Sequence, residues 1–383
     1  LEANIGEYAL LNDKGGAVAF YGTTRTVYAQ YNRHINRAFI HRVLSLVDGK
    51  PITIGEAHRL AQNDLVSGNG PTSGSDVTVN HLHYSLLGDP ALALNLPMHQ
   101  IVVDSINGIP VAGAATLPML KAGSIARMAG HIKGADDFRG VITATVRDSK
   151  ETITCRLNDT GKDGAEKAFE YKDRTKTLFQ GTDSVRGGKF TFSFAVPLDI
   201  NYSNQSGLVN LYAVNTAKTL SAHGSSEQFT VGESEEQKND SIGPSIYCYL
   251  NSPSFVDGGN VNTTPFFVAK IIDKDGINAA GSGIGHDLQL VIDGDMSKTY
   301  VLNSNFIYDF GTYTSGSTYY SIPQLEPGKH ELTFRAWDIQ NNSSTVKLRF
   351  NVVKGLSPAL FDLSLIHIPS PRDPKTSRMP SSA

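Results

Sequence analysis

The stretch Phe190-Thr191-Phe192-Ser193-Phe194-Ala195-Val196 alternates large apolar and small polar side chains. A period of two sends Phe190, Phe192 and Phe194 to one face of an extended chain and Thr191 and Ser193 to the other. A helix would scatter the three rings around its axis, so the run predicts a β-strand with one buried face. The pattern recurs on both sides. Val141-Ile142-Thr143-Ala144-Thr145-Val146 precedes it and Leu208-Val209-Asn210-Leu211-Tyr212-Ala213-Val214 follows it, with turn residues between. Such spacing predicts an all-β sandwich over residues 99–232.

Further along, Phe266-Phe267-Val268-Ala269-Lys270-Ile271-Ile272 and Leu288-Gln289-Leu290-Val291-Ile292 are strand runs. Leu332-Thr333-Phe334-Arg335-Ala336-Trp337-Asp338 then leads through Asn341-Asn342 into Val346-Lys347-Leu348-Arg349-Phe350-Asn351-Val352. The last pair has the form of a hairpin closing an immunoglobulin-like β-sandwich over 241–354. Between the two β units, Gly232-Glu233-Ser234-Glu235-Glu236-Gln237-Lys238-Asn239-Asp240 is charged and lacks apolar residues, so it reads as a linker.

Toward the N-terminus the period changes. Gly16-Ala17-Val18-Ala19-Phe20-Tyr21-Gly22 reads as a strand buried on both faces. Ile35, Ala38, Phe39, Val43, Leu46 and Val47 follow a helical period, with Arg33, Arg37 and Arg42 elsewhere on the wheel. A second helix is expected around Ala57, Leu60, Ala61 and Leu65. One strand and a few helices do not cover a sheet. The fold class is therefore an α/β remnant over residues 1–98 followed by all-β domains. The chain opens on Leu1, and Glu7-Tyr8-Ala9-Leu10-Leu11 already reads as the interior of a fold, so the natural protein is expected to continue upstream. Residues 364–383 lose all strand patterning and carry Pro369, Pro371, Pro374 and Pro380. They read as a non-native or disordered tail.

A chain of 383 residues is compatible with two to three domains, and 40% hydrophobic with 19% charged residues is an ordinary soluble composition. The net charge of -3 provides no footprint for nucleic acid. No apolar run reaches the ~18 residues a bilayer crossing needs. Cys155 and Cys248 are the two cysteines; they form no metal-binding spacing, and both lie in strand-like runs that favour burial.

Candidate chemistry is sparse. His34 and His41 are too far apart on one helix for a paired metal site, and His81 and His83 share one face of an expected strand without a third ligand. Asp273-Lys274-Asp275-Gly276-Ile277-Asn278 opens like an oxygen-rich calcium loop but breaks the required register, and a turn accounts for the same letters. Asp293-Gly294-Asp295 has the same two readings. Gly281-Ser282-Gly283-Ile284-Gly285-His286 has the glycine density of a phosphate loop without the following Lys-Ser/Thr. No metal or cofactor is expected. Cys-His peptidase chemistry needs a thiolate and an imidazole at the carboxyl edge of a sheet. Residues 1–98 contain no cysteine, so no catalytic residue is assigned. Thr23, Thr24 and Arg25 follow the N-terminal strand; they either line a cleft, with Arg25 pairing a carboxylate, or cap the next helix.

The run from Gly6-Glu7-Tyr8-Ala9-Leu10-Leu11 to Ala19-Phe20-Tyr21-Gly22-Thr23-Thr24-Arg25 resembles the segment after the catalytic cysteine in gingipain-type cysteine peptidases. Leu86-Leu87-Gly88-Asp89-Pro90-Ala91-Leu92 resembles the motif that closes their catalytic domain. Gly181-Thr182-Asp183-Ser184-Val185, Val196-Pro197-Leu198-Asp199-Ile200-Asn201-Tyr202 and Gly283-Ile284-Gly285-His286-Asp287 resemble the type IX secretion system sortases of that family. So do Ala336-Trp337-Asp338-Ile339-Gln340-Asn341-Asn342-Ser343-Ser344 and Gly355-Leu356-Ser357-Pro358-Ala359-Leu360-Phe361-Asp362.

The resemblance implies a Bacteroidetes cell-surface enzyme, outer membrane-associated, with a caspase-like fold and a cysteine nucleophile. Such a sortase removes C-terminal secretion signals from cargo proteins and passes the acyl group to lipopolysaccharide or to water. Implied partners are cargo with those signals, the outer-membrane components of the type IX system and lipopolysaccharide, and not nucleic acid. The family's catalytic His and Cys both precede the Gly6 segment, so no position here corresponds to either, and the fragment itself is expected to be inactive. Two alternatives are a secreted gingipain-like endopeptidase and a non-enzymatic surface β-sandwich interaction module.

Overall fold

The computed structural model describes residues 4–12, 15–67, 77–156, 167–235, 240–280 and 285–356, so the tail at 364–383 lies outside the described residues, as do parts of the Gly281–His286 and Gly355–Asp362 motifs. The chain divides into two units, Leu1–Met98 and His99–Ala383.

The first unit runs α1 (Ile5–Leu11), β1 (Ala19–Thr23), α2 (Ala29–Val43), α3 (Ile54–Val66), α4 (Thr78–His83) and β2 (Tyr84–Gly88). Asn4 and Glu7 form a reciprocal capping box that starts α1. α2 buries Tyr31, Ile35, Phe39 and Val43, and α3 buries Ile54, Ala57, Ala61 and Leu65; each set is one helical stripe, and the two stripes share one core. Leu46 and Val47 do not extend the first stripe as expected. They form a two-residue strand, exposed, because the helix has already ended at Val43.

β1 pairs antiparallel with β2, Ala19 opposite Gly88 and Thr23 opposite Tyr84. Tyr21 packs into the helical core, whereas Phe20 lies against Gly6 of α1. β1 is half-buried, not buried on both faces as expected, since α1 contributes only Gly6 as a buried residue. The Gly88-Asp89-Pro90-Ala91-Leu92 turn docks on the start of α3. Gly55 N–H donates to the Pro90 carbonyl at 3.0 Å and Ile54 N–H to the Leu92 carbonyl at 2.8 Å. These bonds satisfy amides that a helix start leaves without intrahelical partners. A Cβ at Gly55 would stand 2.7 Å from Pro90 Cβ, so this approach requires glycine.

The second unit is mostly β. Its first region has β3 (His99–Ile106), β4 (Ile125–Ile132), β5 (Gly140–Arg147), β6 (Thr177–Arg186), β7 (Lys189–Ala195), β8 (Leu208–Asn215) and β9 (Ser221–Ser226). These form one sheet in the order β9-β8-β5-β6-β7-β4-β3, ending on Ile109–Pro110. β9 also pairs parallel with β3, Ala222 opposite His99 and His223 opposite Gln100, so the sheet returns on itself. The principal sheet is thus closed, where two facing sheets were expected over 99–232. Closure satisfies the edge backbone groups that a sandwich leaves open. Phe190, Phe192 and Phe194 line one face as their alternation predicts, with successive ring centroids 6.2 and 6.1 Å apart. The expected linker begins as strand: Thr230–Ser234 pairs with Met119–Ala122, and Lys121 Nζ lies 2.8 Å from the Glu233 carboxylate.

The second region has β10 (Ser245–Leu250), β11 (Phe266–Ile272), β12 (Gln289–Ile292), β13 (Ser315–Ser321), β14 (Gly328–Trp337) and β15 (Ser343–Val352). One sheet is β10-β11-β13 with Ile307–Tyr308; the other is β15-β14-β12, flanked by Asn260–Val261 and Thr299–Val301. Phe267 and Phe334, one from each sheet, meet with ring centroids 5.2 Å apart. The β14–β15 hairpin forms as expected, with Asn341 at φ +65° in its turn. A single hydrophobic cluster runs through both β regions. At their seam Leu198 N–H donates to the Ile339 carbonyl at 3.1 Å, and the Phe179 and Tyr308 rings stand 5.1 Å apart.

Candidate functional site

The carboxyl end of β1 is where an α/β sheet presents groups to a ligand. Thr23, Thr24, Arg25 and Thr26 are all exposed there. Thr24 turns the chain back: its N–H donates to the His83 carbonyl at 2.9 Å and its hydroxyl to the same oxygen at 3.2 Å. His83 Nδ1–H in turn donates to the Thr26 carbonyl at 3.2 Å. Fully buried Asn80 accepts from Tyr28 N–H at 3.0 Å and donates to the Tyr28 carbonyl at 3.1 Å, which fixes the path from the strand end into α2. The capping reading is not met, since α2 has no side-chain cap hydrogen bond and its N-cap residue is Tyr28.

The strand that leads to this turn carries an aromatic stack. Tyr21 stacks on Phe39 with centroids 3.9 Å apart, and the His58 ring meets Tyr21 edge-on at 5.4 Å. The Tyr21 hydroxyl and His58 Nδ1 are buried and have no hydrogen-bond partner among the described residues. Burial first, and the nearby His81 second, hold the His58 imidazole below its ordinary pKa, so it favours the neutral form. Burial likewise raises the Tyr21 phenol.

The remaining sequence candidates fall elsewhere. His81 and His83 end helix α4, not a strand, because residues 78–83 close a helical turn before β2 begins. Asp273 sits in a turn, its carboxylate accepting the N–H groups of Asp275 at 2.8 Å and Gly276 at 3.1 Å. Asp293 and Gly294 both have positive φ in the turn after β12. Among the described residues, no three His, Cys, Asp or Glu side chains come together as a metal site. Cys248 is buried in β10, its thiol pushed up to about 11 by burial, which suppresses the thiolate. Cys155, expected to be buried, is exposed beyond the strand Glu151–Thr154. Both lie in the second unit.

A second constellation was not visible in the sequence. Asp199 Oδ2 accepts from His286 Nδ1 at 2.7 Å and from Asn278 Nδ2 at 2.9 Å, while Asn341 Nδ2 approaches Oδ1 at 3.4 Å. The His286 ring lies 4.4 Å from Trp337, and the Arg335 guanidinium stands 5.2 Å over the same indole. Three of the segments that resemble the sortases thus meet at one seam. Only their shared resemblance hinted at it, because hydrogen bonding across such sequence separation leaves no periodic signal.

Residues 1–95 match the profile of peptidase family C25. Among solved structures, the dimeric latent PorU of Porphyromonas gingivalis is 32% identical, covering 89% of this chain and 32% of that one, with a TM-score of 0.45. The chain therefore spans about a third of that protein's length. A red sea bream transglutaminase covers 67% of this chain and 31% of that one at 11% identity and a TM-score of 0.20. No curated protein matches the chain.

Proposed function

We propose, from the premise that residues 1–95 of this chain belong to peptidase family C25, that the chain is part of a cell-surface cysteine peptidase of the type IX sortase kind. The observation that carries the reading is the family match over residues 1–95, and the exposure of Thr23–Thr26 at the end of β1 supports a cleft there. The collinear sortase-like motifs in the β unit favour a sortase over a general endopeptidase. In this reading the enzyme removes C-terminal secretion signals from cargo, transfers the acyl group to lipopolysaccharide or water, and works at the outer membrane with type IX components. The two facing sheets of residues 241–354 support an immunoglobulin-like reading of that region.

A thiolate nucleophile cannot come from residues 1–98, and the buried Cys248 thiol is a poor one. The 383 residues alone are therefore proposed to be inactive. Mass spectrometry of cargo carrying a C-terminal secretion signal tests this, with the chain and the full product of its gene assayed side by side. The full product is expected to release the signal and the chain to leave it intact. Release by the chain that survives replacement of both Cys155 and Cys248 overturns the proposed inactivity. Digestion of unrelated proteins by the full product, without signal release, favours the endopeptidase.

A further inference from the structure

Helix α2 faces the core of its unit with one stripe, Tyr31, Ile35, Phe39 and Val43, and its opposite side meets solvent. With 3.6 residues to a turn, Arg33, Arg37, Ile40 and Leu44 fall within about 60° of one another on that opposite side. All four are exposed, Ile40 by 54% and Leu44 by 57%. None of them takes part in the site described above.

The charge on this side is unanswered. α2 contains Arg33, Arg37 and Arg42 and no aspartate or glutamate. Arg42 turns aside to Asp64, donating Nη2–H at 2.8 Å and Nε–H at 2.9 Å to the two carboxylate oxygens. Among the described residues, Arg33 and Arg37 have no such partner. They stand one turn apart, where two like charges repel each other and weaken a helix. The arginine pair therefore does not serve the stability of α2. One turn further on, Ile40 and Leu44 leave apolar surface in water.

The four side chains are segregated along the helix axis, guanidinium groups first and branched apolar groups after. A guanidinium fork matches a carboxylate in a bidentate pair, and apolar side chains at i and i+4 are the anchors by which helices are recognised. A lipid surface calls for another pattern, with basic residues on one face and the apolar residues that enter the bilayer on the opposite one. On α2 the face opposite the arginines is already buried in the protein core.

We propose that this side of α2 docks an acidic segment of a partner protein, whose carboxylates meet Arg33 and Arg37 and whose apolar side chains meet Ile40 and Leu44.

Fluorescence anisotropy with the full chain tests it. The probe is a labelled helical peptide with two glutamates one turn apart and two leucines on the next turns of the same face. A scrambled peptide of the same composition and phosphatidylglycerol vesicles are the controls. The probe is expected to bind and the controls are not. Arg33→Glu with Arg37→Glu should weaken binding by at least about tenfold, the scale of two exposed ion pairs lost. A peptide with lysine in place of glutamate should then bind that variant and not the parent. Ile40→Ser with Leu44→Ser should weaken the probe while leaving its salt dependence, because the carboxylate contacts remain. If the charge reversal does not fold by circular dichroism, Arg33→Gln with Arg37→Gln replaces it. No binding of the probe, equal binding of the scrambled peptide, unchanged affinity in the variants, or no recovery by the lysine peptide overturns the proposal. Vesicle binding that the arginine variant abolishes assigns the surface to lipid and overturns it as well.

Discussion

Asp199 Oδ2 and His286 Nδ1 lie 2.7 Å apart although the residues stand 87 positions apart in the chain. One comes from the turn after β7 and the other from the loop before β12, so the pair ties the two β regions of the second unit together. The same carboxylate gathers Asn278 and Asn341, and only 12% of its side chain is exposed. Removing it would strand several donors away from water, which is costlier than losing one hydrogen bond.

Asp199→Ala should therefore destabilise the β unit by about 1–3 kcal/mol. Urea unfolding followed by circular dichroism measures it. A double-mutant cycle with His286→Ala should be non-additive, since the two groups share one contact. Additive effects would show that the pair does not couple the two regions.

Trp337 occupies the outer face of β14, opposite Phe334 and Ala336, and is half-buried under His286 and Arg335. Trp337→Ala should cost about 2 kcal/mol, less than the ~3–5 kcal/mol of a fully buried aromatic. Its emission maximum should lie between those of buried and free indole, with partial quenching by iodide. An emission as red in buffer as in denaturant would mean that the indole is not covered by its neighbours.

Gly55→Ala should destabilise the first unit by about 1–3 kcal/mol, because a Cβ there meets both Pro90 Cβ at 2.7 Å and the Pro90 carbonyl oxygen at 2.8 Å. Limited proteolysis reads this directly, with earlier cleavage inside residues 1–98 and no change in the β unit. Equal resistance of variant and parent would mean that the Asp89-Pro90 turn shifts at little cost.

The Cys248 thiol, pushed up to about 11, adds a pH dependence in the alkaline range. The unfolded thiol ionises near pH ~8.5, the folded one only near 11. Folding thus favours the neutral thiol. Its contribution is complete below the unfolded value and lost as pH rises from there through the folded value. The stability difference between the parent and Cys248→Ala should shrink over that window and stay constant below it. A thiol reagent at neutral pH should label exposed Cys155 quickly and Cys248 only upon unfolding. Rapid labelling of both would place Cys248 outside the core.

The strand runs around Phe192, Ala144, Leu211, Phe267 and Phe334 were legible in the sequence because alternation is local: each side chain's face follows from its neighbour's. The helices around Phe39 and Ala61 were legible for the same reason at another period. The closing of a sheet through Ala222 and His99, the exposure of Leu46 and Val47, and the helical setting of His81 and His83 were not. Each depends on which distant backbone supplies the hydrogen bonds, and a periodic pattern carries no record of its partner. The exposed position of Thr23, Thr24 and Arg25 at the end of β1 could be read from the strand that precedes them. The Asp199–His286 contact is decided by the tertiary structure alone. Burial and charge pairing there are set by residues that only folding brings within a few ångströms, so nothing in their spacing along the chain announces them.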